Sequence, residues 1–253
     1  MNSFHQLVVN WCRSLSVLAL LCMISACGPG DGTRYPGPGQ HAEDAIAILG
    51  IASSGEFKPK VNHAGLASEL AARLAERGDL RLVPATQVRR VIGNSDYSKL
   101  TKSFRENGRF SAEEMRTLMA ADLRTSRAII LRLESDETEK LPVYRQAVYN
   151  QAGVRVVDRE RRIYAKRRTT ALTARIFDLR SGQLVWYRKY RISPENRSVS
   201  RQYLGSSFSG TVAAEVANTV INGFGGDNYP SAPSLNGSLR ALIQEVALKI
   251  PSS

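Results

Sequence analysis

Cysteine disappears from this chain after residue 27. The three cysteines are Cys12, Cys22 and Cys27, in a sequence of 253 residues. Whatever folds beyond them has no internal disulfide, no thiolate cage for a metal and no buried catalytic thiol. It must be held by a hydrophobic core alone. A hydrophobic content of 43% against 23% charged residues is that of a globular body. The roughly 210 residues left after an N-terminal leader and tether are enough for one sizeable core.

The leader reads as an export signal. Residues 1–13 are mixed in polarity and end at Arg13; residues 15–26 (LSVLALLCMISA) form an apolar run broken only by small hydroxyls. Such a run falls short of the roughly 20 residues that span a bilayer and suits the core of a signal peptide. It ends Ile24-Ser25-Ala26-Cys27, which resembles the lipobox of bacterial lipoproteins. That resemblance implies a signal peptide over 1–26, lipidation of the Cys27 thiol and a freed, acylated N-terminus. Two or three acyl chains then make release from the membrane rare. Residues 28–44 contain five Gly and three Pro, so 27–44 is expected to be a lipidated cysteine and flexible tether. No Asp follows Cys27. By resemblance to the Gram-negative sorting rule this points to the outer membrane, with a globular domain over 45–253 in the periplasm.

The rest of the pattern predicts an α/β (α+β) domain: a mixed sheet with helices packed on it, a long antiparallel hairpin near 160–192 and a C-terminal amphipathic helix. Ala45–Ile51 (AIAILGI) reads as a buried strand. Leu66, Leu70 and Leu74 recur every four residues through a helix over 63–77, capped by Asn62 and stopped at Gly78. A strand over 80–83 and a short helix over 86–92 follow. Residues 94–110 look polar and irregular. Ser111 and Glu114 form a capping box that opens the next helix, and 128–133 is a further strand. Residues 143–149 and 154–157 read as a strand pair around Gly153. The clearest hairpin has Leu172, Ala174 and Ile176 alternating, a turn at 178–182, then Leu184, Trp186, Tyr190 and Ile192. A Ser-rich stretch follows Pro194, then helices over 211–222 and 239–250.

The fragment LTARIFDLRSGQLVW (172–186), set after a lipobox and a strand–helix–strand opening, resembles a group of bacterial lipoproteins and periplasmic domains. That group includes the N-terminal domain of TolB, the curli-secretion lipoprotein CsgG and the LpoB-type activators of peptidoglycan synthases. The resemblance implies an α/β periplasmic domain and carries over no catalytic residue.

Chemistry-bearing constellations are scarce. Beyond the leader the histidines are His41 and His63, too few for an expected triad or zinc site, and no cofactor or metal is expected. The acidic cluster Glu134, Asp136, Glu137 and Glu139 reads as a solvated strand exit. Gly223, Gly225 and Gly226 do not fit a phosphate-binding turn. One anomaly remains. Removing Arg13 with the leader leaves 34 basic against 23 acidic residues, a net +11. Residues 155–191 alone hold twelve Arg or Lys against Asp158, Glu160 and Asp178, or +9. Lys166, Arg167, Arg168, Arg175, Lys189 and Arg191 are therefore the candidate partner-binding residues. Alternation puts Leu172, Ala174, Ile176, Leu184 and Trp186 on a core face and Arg167, Arg175, Lys189 and Arg191 together on an exposed one. The bland alternative is a solvated basic sheet face with tyrosines at the core rim.

The expected function is a non-catalytic envelope lipoprotein, a periplasmic adaptor or activator bound to the membrane through Cys27. Its expected partner is anionic: lipid, glycan or an acidic envelope protein. Nucleic acid would suit the charge but not the compartment. The alternatives are a subunit of a CsgG-like secretion channel and a lipoprotein enzyme. Charge at Lys166, Arg167 and Arg168 on both faces of one strand counts against a pore, because a lipid-facing Arg at mid-bilayer is costly.

Overall fold

The computed structural model describes residues 42–204 and 228–251. The expected signal peptide, Cys27, the helix expected over 211–222 and the loop expected at Gly223–Gly226 lie outside the described residues. Within them the elements run β1 (Ala42–Ser53), α1 (His63–Arg77), β2 (Arg81–Val83), α2 (Ala85–Ile92), α3 (Asn94–Asn107), α4 (Ala112–Ala120) and β3 (Thr125–Lys140). They continue through β4 (Tyr144–Tyr149), β5 (Arg155–Asp178), β6 (Leu184–Ile192), β7 (Glu195–Tyr203) and α5 (Leu235–Lys249). The expected mixed sheet with helices packed on it is what forms.

β1 is the hydrophobic centre, with Ala45, Ile46, Ala47 and Ile48 fully buried. It pairs in parallel with both β2 and β3, so helices cover both of its faces. Ile46 and Ile48 face α1 and α5, together with Leu70, Leu74, Leu242 and Val246. Ala47 and Leu49 face α2–α4, together with Val88, Phe104 and Leu118. At Gly50 the register to β3 slips. Its φ is +125°, and a Cβ there would come within 2.9 Å of the Tyr97 hydroxyl. Tyr97 uses the space to donate to the Leu49 carbonyl at 2.7 Å.

The predicted caps are present: Asn62 Oδ1 accepts from Gly65 N at 2.9 Å, and Ser111 and Glu114 close the capping box on α4. Two expectations fail. Residues 94–107 form α3 rather than an irregular stretch, because Tyr97, Leu100 and Phe104 supply a narrow apolar stripe on a polar helix. The Ser-rich stretch after Pro194 is β7, a strand whose support comes from pairing with β5 rather than from apolar alternation.

β5 organises the rest. Its 24 residues extend about 80 Å, and the separate strands expected at 154–157 and 172–176 are its two ends. On one side it pairs with β3 and then β4; on the other with β6 and then β7. The segment 166–178 therefore belongs to the helix-covered sheet. The segment 155–163 continues beyond β3 as the middle strand of a three-stranded antiparallel arm, β4–β5–β7.

Candidate functional site

The six basic residues expected to form a binding face do not lie together on one exposed face. Arg167 contacts Glu195 at 2.5 Å and Glu139 at 3.3 Å. Arg168 holds Asp136 at 2.9 Å. Arg175 donates from Nη1 to the Gly108 carbonyl, and its guanidinium lies 5.5 Å from the centre of Phe104 and 5.3 Å from that of Tyr187. It is half-buried, not exposed as alternation predicted. The odd face of β5 at this point is covered by α3 and α4, which periodicity on one strand cannot reveal. Lys189 and Arg191 are exposed on β6, opposite Thr173 and Ala171. Lys166 is half-buried opposite Asn196.

Two neighbouring readings change with this. Leu172, Ala174 and Ile176 do face the core, but Leu184 is 48% exposed. A register slip after Ile176 sets it opposite Phe177, on the other face. The acidic cluster is only in part a solvated exit. Asp136 accepts from Arg168 and from Thr170 Oγ1 at 2.8 Å, and Glu134 accepts from Thr173 Oγ1 at 2.7 Å and pairs with Arg132. These carboxylates are the counter-ions of the sheet.

The open cationic surface lies further along β5, on the arm. Directly opposed residues of antiparallel strands share a face. One face carries the rows Tyr144–Ile163–Val199 and Gln146–Arg161–Arg201, with the pair Arg159–Tyr203; beyond a register shift after Ala147 the ladder continues with Tyr149–Arg155. Tyr144 is 64% exposed, Tyr149 62% and Val199 61%. Arg155, Arg159, Arg161 and Arg201 are all exposed, and Arg159 stacks 5.1 Å from the centre of the Tyr203 ring. No Asp or Glu stands in these rows. Glu139 and Glu195 flank Arg167 further along this face, and Glu195 is held below its ordinary pKa by hydrogen bonds from Arg167 and Arg197.

The opposite face is covered at the base of the arm. Tyr164 packs edge-on against Tyr229 with ring centres 5.3 Å apart. Ser198 Oγ donates to the Asn228 carbonyl at 2.7 Å, and Asn196 Nδ2 to that of Ser231 at 2.9 Å. The segment entering α5 thus lies on one side of the arm and leaves the arginine–tyrosine side bare. Sequence reasoning counted Arg155, Arg159 and Arg161 within the basic run but not as a face. The missed signal was β7, which supplies Val199, Arg201 and Tyr203.

A nucleophile–base contact also occurs: Ser53 Oγ lies 2.7 Å from His63 Nε2. Burial, followed by the charge of Arg105, lowers the imidazole pKa from its ordinary value. A triad would have a carboxylate orient this ring; the charged neighbour here is a cation. Among the described residues no group of three His, Cys, Asp or Glu is placed to hold a metal, and no helix is long and apolar enough to cross a membrane.

No protein-family model matches the chain, and no curated protein matches it. Solved structures that resemble it include the hypothetical protein CT253 from Chlamydia trachomatis, 14% identical over 81% of this chain and 96% of that one, with a TM-score of 0.38. The LpoB C-terminal domain from Salmonella enterica is 11% identical over 61% of this chain and 86% of that one, with a TM-score of 0.32. Lipoprotein GNA1162 from Neisseria meningitidis is 18% identical over 71% of this chain and 99% of that one, with a TM-score of 0.30. Bacterial lipoproteins are thus among the structures this chain is similar to. Likeness at these scores assigns no residue and no activity.

Proposed function

We propose that this chain is an outer-membrane lipoprotein, acylated at Cys27, whose periplasmic domain performs no catalysis and docks an acidic envelope protein on the arm. The observation that carries the reading is the bare face of β4–β5–β7, with Arg155, Arg159, Arg161 and Arg201 set among Tyr144, Tyr149 and Tyr203 and no carboxylate in their rows. Every cation in those rows is arginine. The planar guanidinium binds carboxylates through two parallel hydrogen bonds, and Arg and Tyr are the side chains enriched at protein interfaces. A protein partner therefore fits better than a diffuse anionic surface. Arg161 and Arg162 occupy opposite faces of the same strand, which supports an adaptor over a channel strand with one lipid-facing side. Kinship with TolB and CsgG remains part of this proposal and adds no residue to it.

Two experiments test the reading. A photo-reactive residue at Val199, at the centre of the face, should yield one discrete protein adduct in intact envelopes. Changing Arg155, Arg159, Arg161 and Arg201 to Glu should abolish that adduct while the protein accumulates normally. An undiminished adduct in the reversed variant contradicts the proposal. For the anchor, Cys27→Ser should end incorporation of labelled acyl chains. A variant that is still labelled and still fractionates with the outer membrane rules out anchoring through Cys27.

A further inference from the structure

Three arginines of the helix-covered sheet, Arg132, Arg167 and Arg168, each hold a carboxylate. Arg175 holds none. Its Nη1 donates to the neutral Gly108 carbonyl, its guanidinium lies over Phe104, and its Nε is buried with no acceptor among the described residues. A cation against an aromatic floor with one neutral acceptor lacks a counter-ion.

Arg175 lines a groove of about 510 Å³ between α4 and the turn joining β5 to β6. Arg109 and Arg116 line it too, both exposed, and among the described residues no Asp or Glu does. Two of the nearby acids, Glu114 and Asp178, are already engaged. Glu114 closes the capping box, and the Asp178 carboxylate accepts from the backbone N–H groups of Arg180 and Ser181. The remaining wall is apolar, formed by Phe110, Met115, Phe177 and Leu184. It is also fixed in place. A Cβ on Gly182 would come within 2.9 Å of Met115 Cγ, so the turn sits directly against α4. The register slip that turns Leu184 away from the core brings it to this groove.

We infer that the groove binds a small amphipathic carboxylate. Its carboxylate lies among Arg109, Arg116 and Arg175, and its apolar body lies against the Phe110 and Phe177 wall. The volume suits a small organic molecule. A simple inorganic anion leaves the apolar wall uncovered, and a neutral apolar ligand leaves three cations without a partner. The groove adjoins the Asp178 end of β5 and the arm is built on the Arg155 end, so the two sites can fail separately.

Met115 and Met119 both line the groove and are the methionines of the described residues. Their methyl NMR signals, recorded on the full chain in phosphatidylcholine nanodiscs, report the site directly. Titration with phenylbutyrate should move both signals saturably. Phenylbutanamide and acetate should each bind at least about tenfold more weakly, as should phenylbutyrate to the Arg109→Glu, Arg116→Glu variant. The inference is overturned if phenylbutyrate gives no saturable shift. It is equally overturned if the amide, acetate or the charge-reversed variant matches the affinity of the carboxylate for the unaltered chain.

Discussion

β5 passes through two environments, and its arginines differ accordingly. Toward its C-terminal end, α1 and α5 cover one face and α3 and α4 the other; Arg167 and Arg168 are neutralised within the fold there, and Arg175 is held by a backbone carbonyl and two aromatic rings. Arg168 meets Asp136, whose side chain is 6% exposed, while Arg167 meets Glu195 and Glu139. Toward its N-terminal end residues 228–231 cover one face only at the base of the arm, and on the other face Arg155, Arg159 and Arg161, with Arg201 of β7, are exposed without acidic neighbours in their rows. The same residue type is structural at one end and available at the other. Local basic charge alone therefore does not locate a binding face; the placement of counter-ions does.

The largest expected effect lies at the covered end. Asp136→Ala leaves the half-buried Arg168 and Thr170 without their shared acceptor, and removing one partner of such a pair costs about 3 kcal/mol. Urea denaturation should show it. Arg161→Ala, on the bare end of the same strand, should change stability by under about 0.5 kcal/mol. Equal losses from the two variants would erase the distinction. Arg175→Glu comes next: it places a carboxylate beside the Gly108 carbonyl and ends the stacking on Phe104 and Tyr187, so a loss of about 2 kcal/mol is expected. Lys189→Glu, exposed on the neighbouring strand, should be nearly neutral. This pair sharpens the comparison, because the two residues were indistinguishable by alternation.

Much of the sheet was legible because its buried strands are strongly patterned. Ala45–Ile51, Leu172–Ile176 and the Leu239–Ile250 stripe announce their burial through apolar residues at strand or helix spacing. α3 and β7 were not legible, for opposite reasons. α3 shows only three apolar side chains along fourteen residues. β7, with the sequence ENRSVSRQY, has no alternating apolar set and forms by hydrogen bonding to β5. The candidate site suffered most, since half of the arm's bare face comes from β4 and β7. A basic run marks charge along one strand, whereas a face is a property of three.

The smallest expected effect concerns pH. His63 has a folded pKa below its ordinary value of 6.5, so the unfolded chain takes up the proton first. Its contribution is complete above about pH 6.5 and declines as pH falls through the lowered folded value. Glu195 and Asp178 are held below the ordinary carboxylate range and lose their contributions only at lower pH. Melting temperature should therefore decline slightly between about pH 7 and pH 5, and His63→Gln should flatten that slope. An unchanged slope in the variant would assign the decline to other groups.

Hydrogen exchange in intact envelopes tests the central claim most directly. In the purified full chain, amides of 144–163 and 195–203 should exchange faster than those of 170–178, because the arm has one uncovered face. In envelopes a docked partner should slow exchange on the arm selectively and leave 170–178 unchanged. The Arg155, Arg159, Arg161 and Arg201 to Glu variant should show no such protection. Arm exchange that is identical in purified protein and in envelopes would contradict the account and make the arginine–tyrosine face solvated surface.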